Sequence, residues 1–355
     1  MIEGYRAVAT LYQALMTGLV LTLVTRKSAE AAERFVFRHF RRQHLEKFLP
    51  GLDKLGLAGL PHAVACAQYH YLSNQVGGVK VEYVYESDEK AWVRYPPPRW
   101  IWAGAAICGI PSRVNAAMLH GWHGHNGVSL GNPRLGFVCT GQTVDGDPGL
   151  EGYYLEHDRD LAPDERVRFA RGEAAPDFDP ARAPRLDAAA WSEERQQKVL
   201  RSYAMEYVRS MLPEMLGLFG PDETRGLLGH AARLVGMQSY DETAARLGIR
   251  PGEPAAFARY LTAMARAQGE VVEMDAGGGD AVVRQNGWRL AHGLGALDPA
   301  AFDAWNALWE GALSVHNRRL RLEVTRRADR GDACFEWRIR RADASPRPRE
   351  GEREG

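Results

Sequence analysis

No two cysteines in this chain stand close enough to form a CxxC pair, and only four are present: Cys66, Cys108, Cys139 and Cys334. That excludes a zinc ribbon and a disulfide scaffold and suits a reducing compartment, so a cytoplasmic location is expected. Net charge is lacking too, because 45 basic and 45 acidic side chains cancel. Without a global field to draw in nucleic acid or an anionic membrane, no nucleic-acid partner is expected. The sequence contains no Walker loop, dinucleotide fingerprint, HExxH pair or GxSxG nucleophile elbow. The usual nucleotide-dependent enzymes, zincins and serine hydrolases are thereby disfavoured. Gly277, Gly278 and Gly279 precede no helix start and read as a hairpin turn.

Ala7 to Thr25 is an uncharged run flanked by Arg6 and by Arg26 and Lys27. It is long enough to cross a bilayer. Thr10, Gln13, Thr17 and Thr22 interrupt it and no small-residue cleavage site follows, so a buried helix is expected and a membrane partner is not.

What is present reads as an α+β chain. Residues 29 to 48 have helical periodicity that Pro50-Gly51 should end. Residues 78 to 95 alternate β-branched or aromatic with charged residues around Ser87 and Asp88, a hairpin pattern, and Pro96, Pro97 and Pro98 then force the chain out of the sheet. A helix over 111 to 120 follows. Residues 172 to 191 are rich in Ala, Pro and Asp and read as a linker. Helices are expected from Ser192 to about Leu247, broken at Gly220-Pro221, and from Pro254 to Gly269, then a hairpin about Gly277 to Asp280, a helix from Pro299 to Leu313 and final strands. The expected division is an N-terminal helix over 1–28, a first α+β unit over 29–171, the linker over 172–191, a second α+β unit over 192–342 and a disordered tail over 343–355.

Residues 129–154 align without a gap on 314–339 at an offset of 185, with eight identities in 26 positions. Usage of about 7% per residue type would give roughly two. The matches are Ser129, Asn132, Arg134, Leu135, Thr140, Gly146, Asp147 and Glu151 with Ser314, Asn317, Arg319, Leu320, Thr325, Gly331, Asp332 and Glu336. Two related halves, each of helices followed by an antiparallel sheet of hairpins, are therefore expected from an internal duplication. Residues kept in both halves then read as structural, and residues found in one half as candidates for function.

Gly331-Asp332-Ala333-Cys334-Phe335-Glu336-Trp337 resembles the closing Gly-Asp, Cys, aromatic signature of 4-vinyl-reductase-type small-molecule-binding domains. The L-2-amino-thiazoline-4-carboxylic acid hydrolase family is similar there. The resemblance implies an α+β fold enclosing a small organic ligand, with hydrolysis in one branch and ligand sensing in the other.

The densest candidate site is His120-Gly121-Trp122-His123-Gly124-His125-Asn126. On an extended segment His123 and His125 would share a side, and Gly121 would let His120 fold back toward them. His120, His123 and His125 could then hold a divalent metal such as zinc, with Asp147, Glu151 or His157 completing the set, and without a metal no cofactor is indicated. His123 and His125 are equally candidates for acid and base, with Trp122 and Asn126 beside the substrate. The second copy has Trp305, Leu308 and Glu310 in place of the three histidines. Cys334, which alternation places on one face with Glu336 and Arg338, and Cys139 are the candidate nucleophiles. The expected function is hydrolysis of a heterocyclic or amide-type C–N bond in a small molecule. The alternative is a non-catalytic small-molecule sensor or carrier.

Overall fold

The computed structural model describes residues 1–186 and 189–342, so the expected tail from 343 lies outside the described residues. The chain begins with α1 (Ile2–Arg26) and α2 (Ala29–Lys54). Ser28 separates them and starts α2, its side chain accepting a hydrogen bond from the Ala31 amide at 3.1 Å. Contrary to the expected stop, α2 continues past Pro50 to Lys54. Packing overrides the missing amide there. Gly51 lets the Tyr69 ring lie against the backbone, where a Cβ would meet Tyr69 Cε2 at 2.6 Å, and Leu52 reaches the core.

Next come α3 (His62–Val76), β1 (Glu82–Tyr85), β2 (Lys90–Tyr95), α4 (Ser112–Gly121), a 3₁₀ turn at His123–His125 and α5 (Asn126–Ser129). The strands β3 (Leu135–Gly141), β4 (Leu150–Glu156) and β5 (Val167–Phe169) follow. The sheet order is β1-β2-β4-β3-β5, antiparallel except for β5, which runs parallel to β3.

After the 172–191 segment, whose described residues form turns and an isolated bridge at Glu173, comes α6 (Glu193–Arg246), kinked at Gly220 (φ 75°, ψ 174°) directly before Pro221. A left-handed residue followed by one without an amide cannot continue the hydrogen-bond ladder, so α6 is two arms. Then follow α7 (Pro254–Gln268), β6 (Val271–Gly277), β7 (Asp280–Asn286), α8 (Ala300–His316), β8 (Leu320–Arg326) and β9 (Phe335–Arg341). The second sheet is antiparallel in the order β6-β7-β9-β8.

The matched residues occupy matching places. Each sheet has a bulge 185 residues apart, between Cys139 and Gly141 and between Val324 and Arg326. Asp147 Oδ2 accepts from the Gln142 amide at 2.7 Å, as Asp332 Oδ2 does from the Arg327 amide at 2.6 Å. Thr140 Oγ1 donates to Glu151 at 3.0 Å and Thr325 Oγ1 to Glu336 at 2.6 Å. Asn132 and Asn317 each accept from the amide two residues on. The Asn and Asp side chains satisfy backbone amides at the turns, and the Thr–Glu bonds tie the paired strands together at the bulge.

One hydrophobic core runs through both halves. The uncharged N-terminal helix belongs to it. α1 is long and apolar enough to cross a membrane by length and composition, yet 67% of its most apolar window is buried within the protein, chiefly against α6, with α2 and α7 beside it. Tyr12 is fully buried; its hydroxyl donates to Gln268 Oε1 at 2.6 Å and accepts from Trp305 Nε1 at 3.1 Å.

Candidate functional site

A cavity of about 370 Å³ lies among α2, α3, the turn after α4, the loop after β2 and the first arm of α6. This is within the ~300–1,000 Å³ typical of small-molecule pockets. Aromatic rings dominate its walls: Tyr69, Tyr95, Trp100, Trp122, Tyr203 and Tyr207.

Of the three loop histidines, only His123 faces this space. The segment is a 3₁₀ turn, not an extended strand, so His123 and His125 do not share a side and the expected convergence fails. His125 Nδ1 bonds the His120 carbonyl at 2.9 Å, and its ring lies by Phe37 and His44. His120 is half-buried beside Phe169. Among the described residues no group of three or more His, Cys, Asp or Glu side chains is placed to hold a metal. The zinc site expected at His120, His123 and His125 is therefore corrected to three separate imidazoles. Of the other suggested ligands, Asp147 and Glu151 serve the hairpin.

His123 is 6% exposed and stacks on His70, ring centroids 4.2 Å apart and planes 10° from parallel. Neither nitrogen of His123 has a hydrogen-bond partner, nor does Nε2 of His70 or Nε1 of Trp122, although all are buried. Burial pulls the His70 pKa down to about 3, with a smaller push from His44. His123 is lowered well below the ordinary imidazole range by burial, then by His70, Arg99 and His44. Both rings are neutral near pH 7, since a charged imidazole here would have neither water nor a counter-ion.

Arg99 brings a charge into this apolar setting. It follows Pro96-Pro97-Pro98, which end β2 and turn the chain across the cavity. Trp102 holds that loop, with φ at 59°, a left-handed conformation costly for a bulky residue. Trp102 Nε1 donates to Asn115 Oδ1 at 3.0 Å, and Asn115 Nδ2 donates to Gln142 Oε1 at 2.7 Å. The Arg99 guanidinium lies over the Tyr95 ring, 5.4 Å from its centroid. It makes no hydrogen bond or ion pair with any described residue. Burial lowers its pKa to about 10, so it stays charged at neutral pH. The other cations on the wall are Lys47, paired with Glu206 at 3.1 Å, and exposed Lys54, near the Trp191 ring.

Trp122 lines the cavity as expected, whereas Asn126 does not. Asn126 is fully buried, donates to the Tyr154 hydroxyl at 2.9 Å and faces His44 Nε2 at 3.1 Å, so it fixes the turn. Neither candidate thiol is on the wall. Cys139 is buried in β3 with Sγ directed to the Gly141 carbonyl at 3.4 Å, and burial raises its pKa to about 12. Cys334 lies just before β9, also buried.

The corresponding place in the second half is filled. Leu308 stands 185 residues after His123, and Trp305, Trp309 and Trp337 stand where the first half has His120, Gly124 and Gly152. Those tryptophans surround a void of about 10 Å³, no more than one water occupies. A wider charged cleft of about 860 Å³, lined by Arg201, Glu270 and Arg289 among others, adjoins the aromatic cavity and shares Lys47, Ser202 and Glu206 with it.

Sequence reasoning missed His70, Arg99 and Tyr207. A lone histidine on the apolar face of a helix, and an arginine following three prolines amid aromatics, were the available signals. Comparison of the chain with protein-family models, with curated proteins and with solved structures finds no match in any of the three.

Proposed function

We propose that the protein binds a small organic molecule in the cavity of its first half, as a carrier or sensor. The observation that carries this reading is the cavity of about 370 Å³ itself, walled by aromatic rings with the unpaired Arg99 among them. A space of this size and lining suits a small organic molecule. The family resemblance at residues 331–337 supports the same class of function. Hydrolysis of a heterocyclic or amide C–N bond is the second reading. It is the weaker of the two, because the burial that keeps His123 neutral also opposes the imidazolium that taking a proton from water would create. Cys139 and Cys334 have no part in either reading, being away from the cavity wall.

The two halves are, on the same proposal, copies of one unit. Support comes from the shared strand order, the paired bulges and the repeated capping bonds. One copy kept a cavity and the other filled it with tryptophan.

The test is the neutral solvatochromic dye prodan, titrated into the full chain and into Ser73→Phe, which fills the cavity from α3. Saturable blue-shifted emission with the parent, lost in a Ser73→Phe protein of unchanged circular dichroism, is expected. Equal dye binding by both proteins would refute the location.

A further inference from the structure

We infer that the ligand is a flat aromatic carboxylic acid, bound as its monoanion with the carboxylate on Arg99 and its rings among the aromatic walls. This deepens the binding proposal above and rests on it.

A guanidinium within protein is ordinarily paired or wet, because desolvating a cation without a partner is expensive. Arg99 has no partner, and the only carboxylate on the cavity wall, Glu206, is engaged by Lys47. The cavity wall thus carries one unpaired, half-buried positive charge, and exposed Lys54 at its edge adds to the positive field. An anion completes this arrangement and a cation is repelled by it. One planar five-donor fork suits one carboxylate, which it can meet with two parallel bonds. A phosphate dianion would call for further unpaired donors of like charge, and the wall has no second unpaired guanidinium.

Shape gives the rest of the ligand. Trp100 and Tyr207 pack together with ring centroids 4.6 Å apart, and the stacked His70 and His123 rings line the cavity alongside Trp122. Walls built of ring faces favour a planar guest, since aromatic pairs add about 0.5–1.5 kcal/mol beyond simple burial. A saturated chain would gain nothing from such ring contacts.

The experiment uses the full chain with prodan as reporter and two competitors of nearly equal shape, 2-naphthoate and the neutral 2-naphthamide. The parent should bind the acid at least 10-fold more tightly than the amide. Arg99→Met should weaken 2-naphthoate about 10- to 100-fold, the worth of a hydrogen bond to a charged group, while prodan and amide binding are kept. Arg99→Lys should retain part of the preference, as a charge without the fork. Equal binding of acid and amide by the parent overturns the assignment of an acid but leaves the binding proposal standing, as does an undiminished acid preference in Arg99→Met. Absence of prodan and naphthoate binding by the parent would overturn both. Should Arg99→Met fail to fold, the parent's acid-to-amide ratio decides by itself.

Discussion

Two glycines set how closely α6 and α8 approach, and replacing either tests the packing of the second half. An ideal Cβ on Gly236 would lie 2.0 Å from the Leu308 carbonyl oxygen, and one on Gly311 would lie 2.1 Å from the Arg233 carbonyl oxygen. Both obstacles are backbone, so no side-chain rotation relieves them. Gly236→Ala must therefore push the helices apart by roughly 1 Å, weakening contacts along the whole crossing. Overpacking of this kind costs about 1–3 kcal/mol, against which alanine's better helix propensity returns about 1 kcal/mol. A net loss of up to about 2 kcal/mol is expected for each single variant. Once one methyl has separated the helices the second meets less resistance, so the double variant should lose less than the singles combined. Gly226 is the control, on the same helix with nothing within 4 Å of its ideal Cβ. Gly226→Ala should stabilise by about 0.5–1 kcal/mol. Urea denaturation followed by tryptophan fluorescence reads all four proteins. A Gly236→Ala variant as stable as Gly226→Ala would refute the close crossing, and strict additivity would refute its shared cause.

Acid should destabilise the protein well before carboxylates protonate. His39, His44 and His70 are buried and each held down to about 3, mainly by burial. Their folded pKa values lie below the unfolded 6.5. Their contribution is therefore complete above pH 6.5 and is lost as pH falls toward 3, where the unfolded chain takes up protons that the folded chain does not. From pH 7.5 to 5.5 each accounts for about 1.4 kcal/mol, and the three together for about 4 kcal/mol. Unfolding free energies equal at the two pH values would contradict this, and His39→Phe should remove about 1.4 kcal/mol of the difference. Tyr12→Phe tests the docking of α1, since it strands Trp305 Nε1 and Gln268 Oε1 in the core. A loss of about 1–3 kcal/mol is expected in urea melts, whereas an unchanged midpoint would mean that α1 does not depend on that bond.

Much of the fold was legible because its signals were local. The kink at Gly220-Pro221, the hairpins at 78–95 and 270–286, and the helix from Pro254 follow from residues that fix dihedrals or alternate in hydropathy. The matched Asn, Thr, Gly and Asp positions were read as structural, and each caps a turn or bulge. What failed depended on distance. Pro50 did not end α2 because Tyr69 and the core hold the turn beyond it, and no local rule includes them. The histidines of 120–125 were read on an extended backbone, but the chain coils there, so spacing gave the wrong faces. His123 was identified, yet its partner His70 comes from α3, 53 residues earlier in the sequence. Arg99 was invisible for a similar reason: that an arginine has no partner is a property of everything folded around it.

The account turns on whether His70 and His123 face a guest. The most direct measurement is long-range proton–nitrogen NMR of the imidazoles, with nitrogen-labelled histidine, during titration with 2-naphthoate. His70 and His123 should appear as neutral rings at pH 7 and should both shift to saturation, while His230 and His292 stay fixed. A saturable ligand that leaves His70 and His123 unmoved would contradict the account.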